Sequence, residues 1–107
     1  MAMKENMIKE NVMQLKDTRD MMVSSDYKER FKAEYLQTKI RYEKLKKFNT
    51  RIEAARMTEY MEKPIEMPKH DCPDTLLLEQ QTQMAHYLHT LEVRAVIEDI
   101  DLGEFNV

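Results

Sequence analysis

His70-x-Cys72 and His86-x-x-His89 each set two potential zinc donors at ligand-like spacing. One ion cannot take both pairs. His86 lies more than a dozen residues into a helix predicted to begin at Pro73, which separates the pairs by roughly 20 Å at ~1.5 Å per residue. Only a second chain could bridge that gap, and short His/Cys spacings arise easily by chance, so no metal or other cofactor is expected. Cys72 is the single thiol. It could pair with His70, but no orienting third group and no glycine-rich phosphate loop accompanies it, so the chain reads as a binding protein and not as an enzyme. A second inventory points to ligand binding. Arg30, Arg41 and Arg94 carry guanidinium forks that suit phosphate, and Tyr27, Tyr35 and Tyr42 carry rings on which a base can stack.

These side chains need helices to position them. Tyr27, Phe31, Tyr35, Tyr42, Leu45, Phe48, Ile52 and Ala55 recur at steps of three, four or seven, the spacing of one side of a helix. Ser24, Ser25 and Asp26 offer capping oxygens, and Glu29 completes a capping-box pattern with Asp26, so a long helix is predicted over 24–62. Met3, Met7, Ile8, Val12, Leu15 and Met22 predict a shorter helix within 1–23. All three prolines fall between 63 and 73 and mark a connector, because proline lacks the amide hydrogen and disfavours helix in the residue before it. Leu77, Gln80, Met84, Tyr87, Leu91 and Arg94 then predict a second long helix over 74–101, ended by Asp101, Leu102 and Gly103, with a tail at 102–107.

The fold class is therefore all-α, a single helical domain in which two long helices form an antiparallel hairpin with a short N-terminal helix. One glycine and 35% charged residues suit long exposed helices. Leu36, Ile40, Leu88 and Val96 flank the seam and are expected to lack partners within one hairpin, which predicts a helical-bundle homo-oligomer, a dimer or larger. The net charge of -3 and the pI near 5.6 argue against stable nonspecific binding to nucleic acid. Charge is nonetheless divided. Residues 26–56 carry ten bases and five acids, net +5, whereas residues from Asp71 onward carry one base and eight acids, net -7. Helices of opposite sign can lie side by side. One cysteine suits a reducing compartment, and no apolar run of about 18 residues or secretory core is present, so a cytoplasmic protein without a membrane partner is expected.

Polar residues inside the seams are the informative anomaly. In the first long helix the register falls on Glu34, Thr38 and Arg41, and in the second on Gln80 and Arg94. With the hairpin tip near residue 68, positions summing to about 135 should face each other, placing Arg41 within about a turn of Arg94. Two guanidinium groups there need an anion. Glu34, Glu92 or Glu98 can supply it internally and fix register, or a ligand phosphate can supply it.

The block Ser24-Ser25-Asp26-Tyr27-Lys28-Glu29-Arg30-Phe31-Lys32-Ala33-Glu34-Tyr35, with Arg41-Tyr42-x-x-Leu45, resembles small proteins of tailed phages and prophages of Gram-positive bacteria. Leu76-Leu77-x-x-Gln80-x-x-x-Met84-x-x-Tyr87-x-x-x-Leu91-x-x-Arg94-Ala95 is similar to the closing helix of hairpin proteins from crAss-like phages. More remotely, the hairpin resembles phage counter-defence proteins that sequester the cyclic nucleotides of CBASS and Thoeris immunity. That resemblance implies a symmetric oligomer enclosing a cyclic nucleotide or cyclic ADP-ribose-type signal without turnover, in the cytoplasm of an infected bacterium. The chain lacks the glycine-bearing short connector of one branch of those proteins and the strands of another. Two other classes stay open: an inhibitor directed at a host nuclease or defence effector, anti-CRISPR-like, using the acidic face from Glu92 to Glu104, and a structural helical adaptor docking through its Met-rich N-terminus.

Overall fold

A computed structural model describes residues 13–103, whose regular elements are all helices, with no strand among them. A 3-10 turn, Leu15–Thr18, leads into the one-turn helix α1, Arg19–Met22. The long helix α2 spans Tyr27–Met57, and α3 spans Asp74–Ile97. Residues 1–12, which hold most of the predicted N-terminal helix, and residues 104–107 of the tail lie outside the described residues.

Helix α2 starts where its capping chemistry begins. Asp26 sits in extended backbone, and its Oδ1 accepts from the amide of Lys28 at 3.0 Å, while Ser24 Oγ accepts from the amide of Asp26 at 3.0 Å. These bonds satisfy amides that have no partner within the helix. Glu29 does not complete the capping box; its carboxylate pairs with Lys32 at 3.3 Å. At the other end Thr58 stops the helix short of the predicted 62. Its hydroxyl donates to the carbonyl of Ala54 at 2.8 Å and accepts from the amide of Ile65 at 2.9 Å, turning the chain back on itself.

Both long sides of α2 are covered. Phe31 and Ile52 are buried on the side facing α3, with Tyr35 packed against the Phe31, Leu91, Ala95 and Ile100 cluster. Ala33, Leu36 and Ile40 are buried on the other side, which they share with Gln37. The segment around α1 covers them: Gln37 Nε2 donates to the fully buried Thr18 Oγ1 at 2.9 Å, and that hydroxyl donates to Leu15 O at 2.7 Å. The expectation that Leu36, Ile40 and Leu88 lack partners is thus corrected, since all three are buried within one chain; Val96 alone of the four stays exposed.

The end of α3 differs from the sequence reading. Asp99, and not Gly103, is the residue that leaves the helix in the left-handed region, with φ 55. The amide of Ile100 then reaches back to Ala95 O at 2.8 Å and that of Asp99 to Val96 O at 3.4 Å, a Schellman closure. Ile100 folds under the cap into the core beside Phe31 and Leu91. Glycine enters this conformation without the steric cost of a Cβ, whereas a β-branched side chain does so poorly. Asp99→Gly should therefore raise unfolding stability in urea by about 0.5–1 kcal/mol and Asp99→Val should lower it by about 1–2 kcal/mol. Equal midpoints for the two variants would show that the left-handed turn does not close the hairpin.

Candidate functional site

The hairpin is tied across its seam by side chains in sequence. Nearest the open end, Tyr27 Oη donates to Glu98 Oε1 at 2.9 Å and accepts from Arg94 Nη2 at 2.7 Å, while Arg94 Nε donates to Glu98 Oε2 at 3.0 Å. The Arg94 guanidinium also lies over the Phe31 ring, 5.0 Å from its centroid, where the negative face of the ring attracts it. Further in, Tyr35 Oη donates to Glu92 Oε2 at 2.7 Å, and Tyr87 Oη donates to Glu34 Oε1. In the last third of α2 the buried Asn49 donates to Leu77 O at 3.2 Å and to Gln81 Oε1 at 2.8 Å. A buried amide left unpaired would be costly, so these two acceptors define where α3 must lie.

Each phenol in the ladder is held in its protonated form. Burial, and then the bond to Glu92, pushes the Tyr35 hydroxyl above the usual phenol range. The bond to Glu98 raises Tyr27, and the bond to Glu34 raises Tyr87. In return the Tyr27 hydroxyl, with help from Arg94, keeps the Glu98 carboxyl below the ordinary carboxylate range. Tyrosine and glutamate are thus matched as donor and acceptor along one seam.

The six candidate residues do not converge on one place. Tyr27 and Arg94 meet, and Arg94 takes Glu98 as its anion, one of the three internal carboxylates that the sequence offered. Arg30 Nη1 donates to Ser24 O at 2.7 Å, back across the start of α2. Tyr35 belongs to the ladder. Arg41 is exposed and has no hydrogen bond or ion pair among the described residues, and Tyr42 is half-buried with Lys46 Nζ 6.0 Å from its ring centroid. The expected juxtaposition of Arg41 and Arg94 is corrected. Tyr27 with Glu98, Tyr35 with Glu92 and Asn49 with Leu77 give facing numbers that total about 126 and not about 135, a slip of more than two turns. Arg94 consequently lies beside Tyr27 and Phe31.

The sequence reading missed the connector end. Arg56 Nε donates to Asp74 Oδ2, His70 Nε2 lies 2.8 Å from Asp74 Oδ1, and His70 Nδ1 lies 2.7 Å from Pro68 O. Phe48 meets the His70 ring edge-on at 5.9 Å. Both groups facing the imidazole are acceptors only, so both ring nitrogens must donate, and His70 is a cation in this arrangement. Its pKa is raised, first by the Pro68 carbonyl and then by Asp74, while Arg56 and His70 hold the Asp74 carboxyl down at about 2. Beside this cluster a cavity of about 610 Å³ is lined by Asn49, Ile52, Glu53, Arg56, Met57, Asp74 and Leu78. A shallower depression of about 540 Å³ runs along α2 past Glu43, Lys46, Lys47, Thr50 and Arg51. The signals were present in the sequence, since His70 and Asp74 stand four apart around Pro73, but a proline-rich connector has no period from which to read its path.

Among the described residues no three His, Cys, Asp or Glu side chains are grouped to hold a metal ion, and no helix is long and apolar enough to cross a membrane. The family model described as Sequestin matches residues 25–97, more than half of the chain, from the cap of α2 through the connector to the last turn of α3. No curated protein and no solved structure matches the chain.

The His70 bracket has a defined pH window. A raised histidine pKa contributes stability that is complete below the unfolded value near 6.5 and is lost as pH rises through the folded value; the lowered Asp74 contributes above about 3.8 and is lost as pH falls toward 2. The bracket is strongest between about pH 4 and 6.5. Proton NMR should place the His70 midpoint above 6.5 and return it toward 6.5 in Asp74→Asn. A wild-type midpoint at or below 6.5 would contradict the doubly donating imidazole.

Proposed function

The chain belongs to the Sequestin family, and we propose that it is a phage-encoded anti-defence protein that sequesters a cyclic nucleotide or cyclic ADP-ribose-type immune signal. The observation that carries this reading is the family match, which spans the whole hairpin. Binding takes place without catalysis, in the cytoplasm of the infected bacterium, by a homo-oligomer whose subunits together surround the signal. A helical hairpin with no nucleophile paired to an oriented base among the described residues suits capture better than turnover.

Chemistry divides the six candidate residues into two kinds of work. Tyr27, Tyr35 and Arg94 have their polar atoms engaged by Glu98 and Glu92, and Arg30 is engaged by Ser24, so their first role is to hold the helices at the spacing a site requires. Arg41 offers a guanidinium without an internal anion among the described residues, with Tyr42 next to it in the chain. In this reading Arg41 grips phosphate, and Tyr42 supplies a ring face to a base, the division of labour seen wherever guanidinium forks and aromatic rings share a nucleotide.

Isothermal titration calorimetry against a panel of cyclic dinucleotides, cyclic trinucleotides and cyclic ADP-ribose isomers tests the proposal. At least one should bind the wild type with a micromolar or tighter constant. Arg41→Ala should weaken that binding by about tenfold or more with unchanged circular dichroism, since a charge-assisted bond to phosphate is worth ~1.5–3 kcal/mol. Arg94→Ala should instead lower the unfolding midpoint, because it removes the groups that close Tyr27 and Glu98. Absence of heat across the whole panel would overturn sequestration of these signals.

A further inference from the structure

The outward surfaces of the two long helices differ in charge. On α2, ten of the thirteen exposed residues are Lys, Arg or Glu; on α3 only Glu79 and Arg94 among fifteen are charged, and Arg94 is closed by Glu98. A helix whose outer side faces water ordinarily carries its charges there. Loss of charge, with apolar side chains in its place, is instead the composition of the buried centre of a protein interface. Thr82, His86, His89, Val93 and Val96 recur at steps of three and four on the side of α3 turned away from α2, Ile97 follows four after Val93, and all six are exposed. Val96 is 83% exposed and Ile97 is 77% exposed.

We propose that this side of α3 is the surface on which a second copy of the chain docks, α3 against α3. Charge selects the occupant. A second copy brings the same side, on which Glu79 near the start of the helix is the one charge, and a two-fold axis makes it self-complementary. Copies meeting through α2 would instead set Arg41, Lys44, Lys47 and Arg51 against their own equivalents, and like charges in an interface are strongly disfavoured. A polyanionic partner would find no cation on this side of α3. The helix is about 36 Å long, so a side-by-side contact buries on the order of 1,000 Å² over both copies, near the lower bound for a specific interface. Association should accordingly develop over the micromolar range. The inference names the contact surface for the homo-oligomer proposed above and rests on that reading.

Sedimentation equilibrium of the full chain across the micromolar range tests it, with Val96→Glu, Ile97→Glu and, on α2, Lys47→Glu. All three positions are exposed, so circular dichroism should be unchanged. The wild type should reach a dimer or a multiple of it, each α3 variant should weaken association by about tenfold or more, and Lys47→Glu should leave it as it is. A wild type that stays monomeric, an α3 variant that associates like the wild type, or disruption by Lys47→Glu alone overturns the proposal. Calorimetry on the same samples with a cyclic dinucleotide and cyclic ADP-ribose separates this result from sequestration. Heat from a monomeric wild type removes the interface and the homo-oligomer with it and keeps only capture of the signal, whereas association through α3 with no heat keeps the interface and removes capture.

Discussion

The antiparallel register of α2 and α3 is the constraint on which everything else in this chain rests, and polar ties set it more sharply than the apolar seam does. A seam of Phe31, Ile52, Leu88, Leu91 and Ala95 rewards contact but tolerates sliding by a turn, because apolar burial is non-directional. Asn49 does not tolerate it. Its buried amide has acceptors only where Leu77 and Gln81 arrive, and the Tyr27–Glu98, Tyr35–Glu92 and Tyr87–Glu34 bonds fall into place at that one offset. A slip of one turn would bury an unpaired amide and break three donor–acceptor pairs together.

The two ends of the hairpin are closed by different means. At the connector, cations grip one carboxylate: His70 and Arg56 converge on Asp74, and Thr58 fastens the returning backbone. At the open end the closure is partly hydrophobic, since the left-handed turn at Asp99 lets Ile100 fold beneath the Arg94–Phe31 stack. Arg94 thus works as a fastener whose anion is supplied by its own helix four residues on. That placement leaves the exposed cations of α2, Arg41 among them, open to the ligand proposed above, while the weakly charged outer side of α3 is the surface proposed for a second copy.

Periodicity made the two long helices and the connector legible, because apolar steps of three and four sustained over such lengths fit a helix and little else. Asp26 was legible as a cap for the same local reason. The register was not, because it depends on how a proline-bearing segment folds between Thr58 and Pro73, and those residues specify turns without a repeat. Placing the tip near 68 moved the facing positions by more than two turns and brought Arg41 to Arg94, when Glu98 and Tyr27 are the partners of Arg94. Asn49 gave no pattern of its own: one amide in a helix looks like a surface residue until the facing carbonyl is known. Leu36 and Ile40 were misjudged because their cover comes from Thr18 and α1, a contact distant in sequence and carried by only one helical turn.

Interhelical nuclear Overhauser effects on labelled protein test the register most directly. The side-chain amide of Asn49 should show contacts to Leu77 and Gln81, and the Phe31 ring should show contacts to Arg94. Contacts joining Arg41 to Arg94, with none from Asn49 to Leu77, would contradict the register and the assignments built on it.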